Sequence, residues 1–211
     1  MIVSIFNDVI GPVMRGPSSS HCAAALRIGR LARDLVDGEL LDVLVEFDRN
    51  GSLPTTHETQ GSDMGLCGGL LGWEAADDRL PGSVEALRGA GIRLRFETVD
   101  SGDPHPNTYR LTLRNARERH SMIAVSTGGG MVEVVEVDGF KTSMTGDGFE
   151  TLLWTDRPGS ALAAELAALT PDGEVLRHEA DGGCLVEVKA RSFMDDGVIA
   201  RLRGAAGVHA V

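Results

Sequence analysis

The feature that most constrains the fold of this chain is the order of elements that its C-terminal part predicts. Alternating and helical apolar patterns from residue 151 onward predict strand, helix, strand, strand, helix and strand. The predicted strands cover 151–155, 175–179, 184–190 and 208–211, and the predicted helices cover 158–169 and 195–202. This βαββαβ order is that of a ferredoxin-like unit.

The residues before this unit predict another mixture of helices and strands. Helices are predicted at 20–37, 64–73 and 82–90, and strands at 40–48, 92–98, 108–114, 121–126 and 131–137. The helix at 64–73, "MGLCGGLLGW", is apolar and rich in glycine, which indicates a buried helix in close contact with a neighbour. A turn-rich stretch at 144–150, "MTGDGFE", predicts a linker. We therefore expect an α+β protein with two domains, 1–147 and 148–211.

The strand predicted at 40–48 has a clear alternation and should be half buried. Its inward side is expected to carry Leu41, Val43, Val45 and Phe47.

The acidic composition limits the partners that the chain can bind. With 31 acidic against 20 basic residues the net charge is −11, which argues against nucleic acid or an anionic membrane surface. No apolar run reaches the roughly 18 residues of a spanning helix, and the first residues lack the pattern of a signal peptide. Cys22, Cys67 and Cys184 form no C-x-x-C pair, so this chain alone predicts no disulfide framework, zinc site or iron–sulfur motif. We expect a cytoplasmic protein.

Four polar side chains stand at the start of the first predicted helix, in "GPSSSHCAAALRIG". One serine is enough to cap a helix. Three serines followed by His21 therefore suit either a simple N-cap or an anion site, in which hydroxyl and free N–H groups hold a carboxylate or phosphate. An imidazole beside such a site can carry a proton. Neither a G-x-S-x-G nucleophile motif nor a nucleotide P-loop is present in the sequence.

Two loops between predicted strands carry further candidate residues. In "DPHPNT" two prolines flank His105 and would fix its imidazole and the Asn107 amide, although the stretch also suits a simple turn. In "STGGG" the glycines suit either a flexible turn or a backbone nest that approaches a ligand closely. The remaining histidines show no partner spacing and are expected at the surface: His57, His120, His178 and His209.

These motifs together resemble the β chain of the iron–sulfur-dependent L-serine dehydratases (L-serine ammonia-lyases), and the resemblance covers nearly the whole chain. It rests on "SIFNDVIGPVMRGPSSSH", "GSDMGLCGGLLGW", "DPHPNT" and "STGGGMVEVVEVDGF". The C-terminal βαββαβ unit, with "DRPG" at the start of its first helix, resembles an ACT regulatory domain.

The resemblance implies half of a two-chain enzyme that converts L-serine to pyruvate and ammonia by β-elimination. A separate α chain would bind a 4Fe-4S cluster, and this chain would bind no metal. The first domain would have a fold like the allosteric substrate-binding domain of some phosphoglycerate dehydrogenases. The ACT-like domain implies homodimerisation and an amino-acid effector.

The resemblance also assigns roles to residues of this sequence. The implied catalytic residues are His21, as the candidate base, and His105. The implied substrate-binding residues are Ser18, Ser19, Ser20, Asn107, Gly128 and Gly129, and the implied effector-binding residues are Asp156, Arg157 and Gly159.

The sequence departs from the family pattern next to the candidate base. Cys22 stands where the family has threonine, and Thr59 and Gln60 replace the glycine and histidine of its G-H-G-T-D loop. Gln60 cannot shuttle a proton as histidine does. These changes leave two alternatives open: a paralogue for another β-substituted amino acid, such as cysteine or a larger β-hydroxy amino acid, and a non-catalytic regulatory protein that binds amino acids.

Overall fold

The computed structural model describes residues 12–156, 159–180 and 183–211. These residues contain ten strands and five α-helices. They divide into two structural units, one ending at Asp138 and the other beginning at Gly139. That division precedes the linker predicted at 144–150. Within the described ranges, none of the helices has the length and apolarity needed to cross a membrane.

The first unit has three α-helices and five strands, in an α+β arrangement. The helices are α1 (Ser19–Asp34), α2 (Ser62–Leu70) and α3 (Ser83–Gly89). The strands are β1 (Asp42–Asp48), β2 (Arg93–Val99), β3 (Thr108–Arg114), β4 (Arg119–Gly128) and β5 (Met131–Val137). Each of them was predicted, with bounds that differ by up to three residues.

The strands of this unit hydrogen-bond in the order β2-β1-β3-β4-β5. β1 and β2 are parallel, and the other neighbours are antiparallel. Val43, Val45 and Phe47 are buried as predicted, but the prediction for Leu41 is wrong, because that side chain is 46% exposed. Leu41 lies before the first residue of β1, where the strand alternation does not yet apply.

The directions of the strands bring all the predicted site loops of this unit to one edge of the sheet. β1 and β2 both end at this edge, as the pairing of Phe47 with Thr98 indicates. β3 begins there and β4 ends there, since Thr108 pairs with Val125. Consequently the segment after β1, the loop after β2 and the β4–β5 hairpin loop all lie at this edge.

Helices α1 and α2 run in the same direction in close backbone contact. A Cβ added at Gly65 would lie 2.1 Å from the Cys22 carbonyl oxygen, and one added at Gly69 would lie 2.1 Å from that of Leu26. Both contact pairs advance by four residues, so the helices are parallel and in register. The predicted close packing of the glycine-rich helix is confirmed, and it places the N-termini of α1 and α2 side by side.

The second unit follows the predicted βαββαβ order. It contains β7 (Phe149–Thr155), α4 (Gly159–Leu169), β8 (Glu174–Ala180), β9 (Gly183–Ala190), α5 (Asp196–Arg203) and β10 (Val208–Ala210). The strand order is β10-β7-β9-β8, and all neighbouring pairs are antiparallel. A short strand that the sequence did not predict, β6 (Phe140–Met144), precedes them.

A compact apolar core joins the helices of the second unit to its sheet. Leu162 and Leu166 of α4 are fully buried against Leu153 and Val186 of the sheet, together with Leu202 of α5. Because these buried residues recur in the sequence at helix or strand spacing, the apolar periodicity was sufficient to predict each element of this unit.

Candidate functional site

Ser18 and His21 contact each other at the start of α1. The N-cap residue is Ser18, in an extended conformation, and its hydroxyl makes no capping hydrogen bond. Ser18 Oγ instead lies 2.7 Å from His21 Nδ1, and the Ser18 N–H donates to the Gln60 carbonyl oxygen at 3.2 Å. A helix start has N–H groups without intrahelical partners. Because the Ser18 hydroxyl points to His21 and does not cap them, these N–H groups remain available to donate to another acceptor.

The start of α2 lies beside this helix end. Gly61 is its N-cap, in the left-handed region at φ +78°, and Asp63 is in its first turn. A Cβ at Gly61 would lie 2.9 Å from Pro17 Cδ, so the two helix starts approach closely here. Helix N-termini carry partial positive charge, and two of them side by side make this end of the unit favourable for an anion.

The Asp63 carboxylate binds an imidazole that the sequence had placed at the surface. His57 Nδ1 lies 2.6 Å from Asp63 Oδ1, and both side chains are 19% exposed. The His57 ring centroid is 4.9 Å from that of Phe96 and 5.1 Å from that of Phe47. Burial raises the pKa of the Asp63 carboxyl, and the hydrogen bond from His57 opposes this shift.

The surface prediction is wrong for two other histidines as well. His120 is 8% exposed and lies 2.7 Å from Asp138, and His178 lies 2.6 Å from the fully buried Glu187. The prediction is confirmed for His209, whose side chain is 60% exposed. Each of the three errors has the same cause: a carboxylate brought close by folding makes up for the lost hydration of the imidazole.

The loop after β2, which contains the DPHPN sequence (residues 103–107), is held by carboxylates as well as by its prolines. The buried Asp48 carboxylate accepts hydrogen bonds from the N–H groups of Asn50 and Gly102, from that of Asp103 and from the Ser101 hydroxyl. These bonds, the one from Asn50 first, lower the pKa of Asp48 to about 2. Asp103 in turn binds the Arg110 guanidinium at 2.5 and 2.9 Å.

His105 and Asn107 are linked to each other and to neighbouring segments. The Asn107 N–H donates to His105 Nδ1 at 3.2 Å, and Asn107 Oδ1 accepts from the Ser52 hydroxyl. The Asn107 carbonyl accepts from the Ser126 N–H at 3.0 Å. The 50–63 segment therefore contacts the DPHPN loop through Ser52 and the start of α1 through Gln60.

The glycine hairpin loop (residues 128–130) has three consecutive residues with positive φ, at +106°, +60° and +79°. Gly128 and Gly129 are exposed, with nothing within 4 Å of an added Cβ. At Gly130 an added Cβ would lie 3.2 Å from Ala23 Cβ of α1, and Arg27 Nη1 donates to the Gly130 carbonyl at 3.4 Å. The hairpin loop is therefore packed on α1.

The predicted site residues thus fall into two groups. Ser18, Ser19, Ser20, His21, His105, Asn107, Gly128 and Gly129 all belong to the first unit and to its loop edge or the adjoining start of α1. Sequence reasoning missed His57, Asp63 and Asp48, although an imidazole six residues before an acid at a helix start was a usable indication.

Two of the predicted effector residues, Asp156 and Gly159, are described and lie in the second unit. Arg157 lies outside the described residues, and so do residues 4–11 of the opening motif. The Asp156 N–H donates to the Gly207 carbonyl at 3.1 Å, and Gly159 begins α4. A cavity of about 540 Å³ in this unit is lined by other residues, from the α4–β8 connection and the segment before α5, among them Thr170, Asp172 and Phe193.

The other ionisable groups near the site are poor nucleophiles. Burial raises the pKa of the Cys22 thiol and raises that of Cys67 to about 12, so both thiols stay protonated at neutral pH. Burial also raises the pKa of Tyr109 to about 12. Among the residues that the structure describes, no three His, Cys, Asp or Glu side chains are grouped so that they could hold a metal ion.

Comparison with known proteins gives two clear relatives, although no protein-family model matches the chain. It is 38% identical over 144 residues, 68% of its length, to the "Probable L-serine dehydratase, beta chain" of Bacillus subtilis (strain 168). It is 37% identical over 149 residues, 69% of its length, to the "L-serine dehydratase, beta chain" of Peptoniphilus asaccharolyticus. The matches cover 64% and 65% of those proteins, so the chain spans slightly less than two thirds of each relative's length. At this level of identity, the chain belongs to the family of L-serine dehydratase β chains.

Proposed function

We propose that this chain is the β subunit of a two-chain L-serine dehydratase, which eliminates water from L-serine to give aminoacrylate; this tautomerises to an imine, whose hydrolysis takes up one water and gives pyruvate and ammonia. The observation that carries the proposal is the meeting of two parallel helix starts with the DPHPN and glycine hairpin loops at one edge of the sheet. An amino acid needs a partner for its carboxylate and a base for its α-proton, and this edge supplies both kinds of group.

The substrate carboxylate is assigned to the start of α1. Ser18, Ser19 and Ser20 offer hydroxyl groups beside the free N–H groups of the first turn, which favour a negative charge. The exposed glycine backbone at Gly128 and Gly129 is assigned to complete the binding of the polar end. The substrate is thereby held with its α-carbon towards the imidazoles.

His21 is assigned as the base that takes the α-proton, since its Nδ1 is bonded to Ser18 and its Nε2 is left for the substrate. His105 and Asn107 are assigned to orientation of the substrate and to proton transfer after the first step. A positioned base contributes about 10²- to 10⁴-fold to the rate.

The 4Fe-4S cluster is assigned to a partner α chain. The three cysteines of this chain are buried and free, and they lie on α1, α2 and β9, so they do not fit the ligand set of such a cluster. When the partner's cluster is bound, it supplies a Lewis acid for the departing β-hydroxyl.

The test is turnover by the assembled pair. The chain is co-expressed anaerobically with a candidate α chain, and pyruvate release from L-serine is measured for wild type and for His21→Ala. We expect wild-type turnover and a loss of at least 100-fold in kcat for the variant, the lower end of the range for a general base. Near-normal turnover by His21→Ala would remove the base assignment, and a wild-type pair inactive on every amino acid would remove the enzyme proposal in favour of an amino-acid-binding regulatory protein.

A second candidate substrate is favoured by Gln60. Its Oε1 is shielded from solvent and has no hydrogen-bond partner among the described residues, while its carbonyl oxygen holds Ser18. An amide oxygen can accept a hydrogen bond from the thiol of L-cysteine or the hydroxyl of a larger β-hydroxy amino acid as well as from the hydroxyl of L-serine, so this partner does not restrict the site to L-serine. Comparing kcat/KM for L-serine, L-cysteine and L-threonine ranks these substrates, and a Gln60→His variant should shift the ranking towards L-serine.

The second unit is assigned as an ACT-like, ferredoxin-like regulatory domain, and the first as a domain like the allosteric substrate-binding domain of some phosphoglycerate dehydrogenases. Support comes from the βαββαβ order and the β10-β7-β9-β8 strand order. Asp156, Arg157 and Gly159 are assigned to effector binding at a homodimer interface. Calorimetry with L-serine on the full chain and on Asp156→Ala, with sedimentation to give the oligomeric state, tests both assignments.

A further inference from the structure

The His57–Asp63 pair is a carboxylate-oriented imidazole that the proposed function does not yet use. The 2.6 Å contact to Asp63 Oδ1 occupies Nδ1, so the proton on that nitrogen points at the carboxylate and Nε2 is the atom left to act. Stacking on Phe96 at 4.9 Å and contact with Phe47 at 5.1 Å fix the plane of the ring. Within the described ranges, Nε2 has no hydrogen-bond partner.

The backbone of the same residue ties the pair to the candidate site. The His57 carbonyl accepts from the N–H groups of Ser62 and Asp63 at 2.9 and 3.4 Å, so it closes the first turn of α2. Three residues further on, the Gln60 carbonyl holds the Ser18 N–H. His57 therefore lies in the segment that joins the two helix starts.

The two imidazoles have partners of different charge, and this difference separates their roles. A carboxylate stabilises the imidazolium form of the ring that it orients. His21 has a neutral hydroxyl as its partner at 2.7 Å. A general acid must hold its proton in a fixed direction, and the Asp63 carboxylate and the two aromatic contacts fix the ring of His57 in this way, so His57 suits the role of acid while His21 keeps that of base.

We propose that His57, oriented by Asp63, is the general acid of this site and protonates the β-hydroxyl of the substrate as it leaves. The inference rests on the proposed function. In the balanced step, His21 Nε2 takes the α-proton, the electron pair of the Cα–H bond forms the Cα–Cβ double bond, and the Cβ–O bond breaks. The proton from His57 Nε2 leaves with the oxygen as water. The proton gained by His21 and the one lost by His57 cancel, and exchange with solvent resets both rings.

The decisive variant is His57→Asn, compared on two substrates in the anaerobic αβ pair. The asparagine amide nitrogen occupies the place of Nδ1 and keeps the hydrogen bond to Asp63, while the atom that would donate the proton is removed. We expect kcat for L-serine to fall by at least 100-fold, in line with loss of a general acid. With β-chloro-L-alanine, whose chloride leaves without a proton, we expect kcat within threefold of wild type.

A matched control comes from the second unit. His178 pairs with Glu187 through Nε2 at 2.6 Å, and His178→Gln keeps that bond in the same way. We expect it to leave both substrates at wild-type rates. Equal losses on L-serine and β-chloro-L-alanine in His57→Asn would assign His57 a purely structural role, and retained L-serine turnover would remove any role in catalysis. Either result overturns the proposal.

A second measurement is independent of turnover and of the partner chain. The full chain is treated with diethyl pyrocarbonate, which acylates accessible neutral imidazole nitrogens, and modified peptides are quantified by mass spectrometry. We expect His57 to react within about tenfold of the rate of the exposed His209. If His57 stays unmodified while His209 reacts, Nε2 is closed to small molecules and the proposal falls. If His57 is modified by the reagent but the wild-type pair has no dehydratase activity, the proposed function fails. The role of His57 as a general acid then fails with it.

Discussion

Replacement of Gly65 by alanine tests the close contact between α1 and α2 on which the site depends. The new Cβ would lie 2.1 Å from the Cys22 carbonyl oxygen and 3.0 Å from the carbonyl carbon. Both are backbone atoms, so the helices must separate by about 1 Å to restore ordinary contact. Overpacking of this kind costs about 1–3 kcal/mol, and a rigid backbone neighbour places the cost near the upper figure. Alanine regains about 1 kcal/mol of helix propensity, which leaves a net loss of about 2 kcal/mol.

The assay is thermal unfolding of the full chain, followed by circular dichroism. A loss of about 2 kcal/mol corresponds to a fall of about 4–8 °C in Tm for a chain of this size. Gly89→Ala is the matched control, since Gly89 ends α3, is exposed and has nothing within 4 Å of an added Cβ; it should leave Tm unchanged or raise it. If Gly65→Ala were as stable as Gly89→Ala, the helices could not be in backbone contact, and the argument for adjacent helix starts would fail.

Two predictions concern the dependence of stability on pH. Asp48 has a pKa lowered to about 2 by its hydrogen bonds, the one from the Asn50 N–H first, so its contribution to stability is present above about pH 4 and is lost as pH falls towards 2; Asp48→Asn should lower Tm at pH 7 and differ less from wild type at pH 2.5. Burial of His120 opposes its protonation, but Asp138 and Glu118 together outweigh this effect and raise the pKa, so its contribution is full below about pH 6.5 and is lost as pH rises through the raised value. His120→Gln should therefore show its largest Tm deficit near pH 5.5, and a deficit that grew towards pH 9 would contradict the assignment.

Most elements of the fold could be predicted because their apolar patterns are local. Val43, Val45 and Phe47 alternate within a few residues, and Leu162 and Leu166 recur at helical spacing, so each pattern is legible without knowledge of distant residues. β6 (Phe140–Met144) was missed because five residues with a lysine and two hydroxyl side chains carry little periodicity.

The part of the site that was missed depends on contacts made only by folding. The environment of His57 is set by Asp63 and by Phe96, which lies on β2. In the sequence, Asp48 is simply the polar last residue of a predicted strand. Its role in holding the loop after β2 becomes visible only when folding brings residues 101–103 within hydrogen-bonding distance of its carboxylate. Phe96 and the 101–103 backbone are distant in sequence from the residues that they contact, and sequence spacing alone does not disclose such contacts.

The contact of α1 with α2 has a mechanical consequence. Where side chains interdigitate, rotamer changes let two helices slide past one another, but at Gly65 and Gly69 the backbones themselves touch. The pair is therefore expected to move as a single rigid body. Any force that a partner chain or a ligand exerts on α2 would displace the serines of α1 by the same amount, and adjustment to substrates of different size is left to the loops.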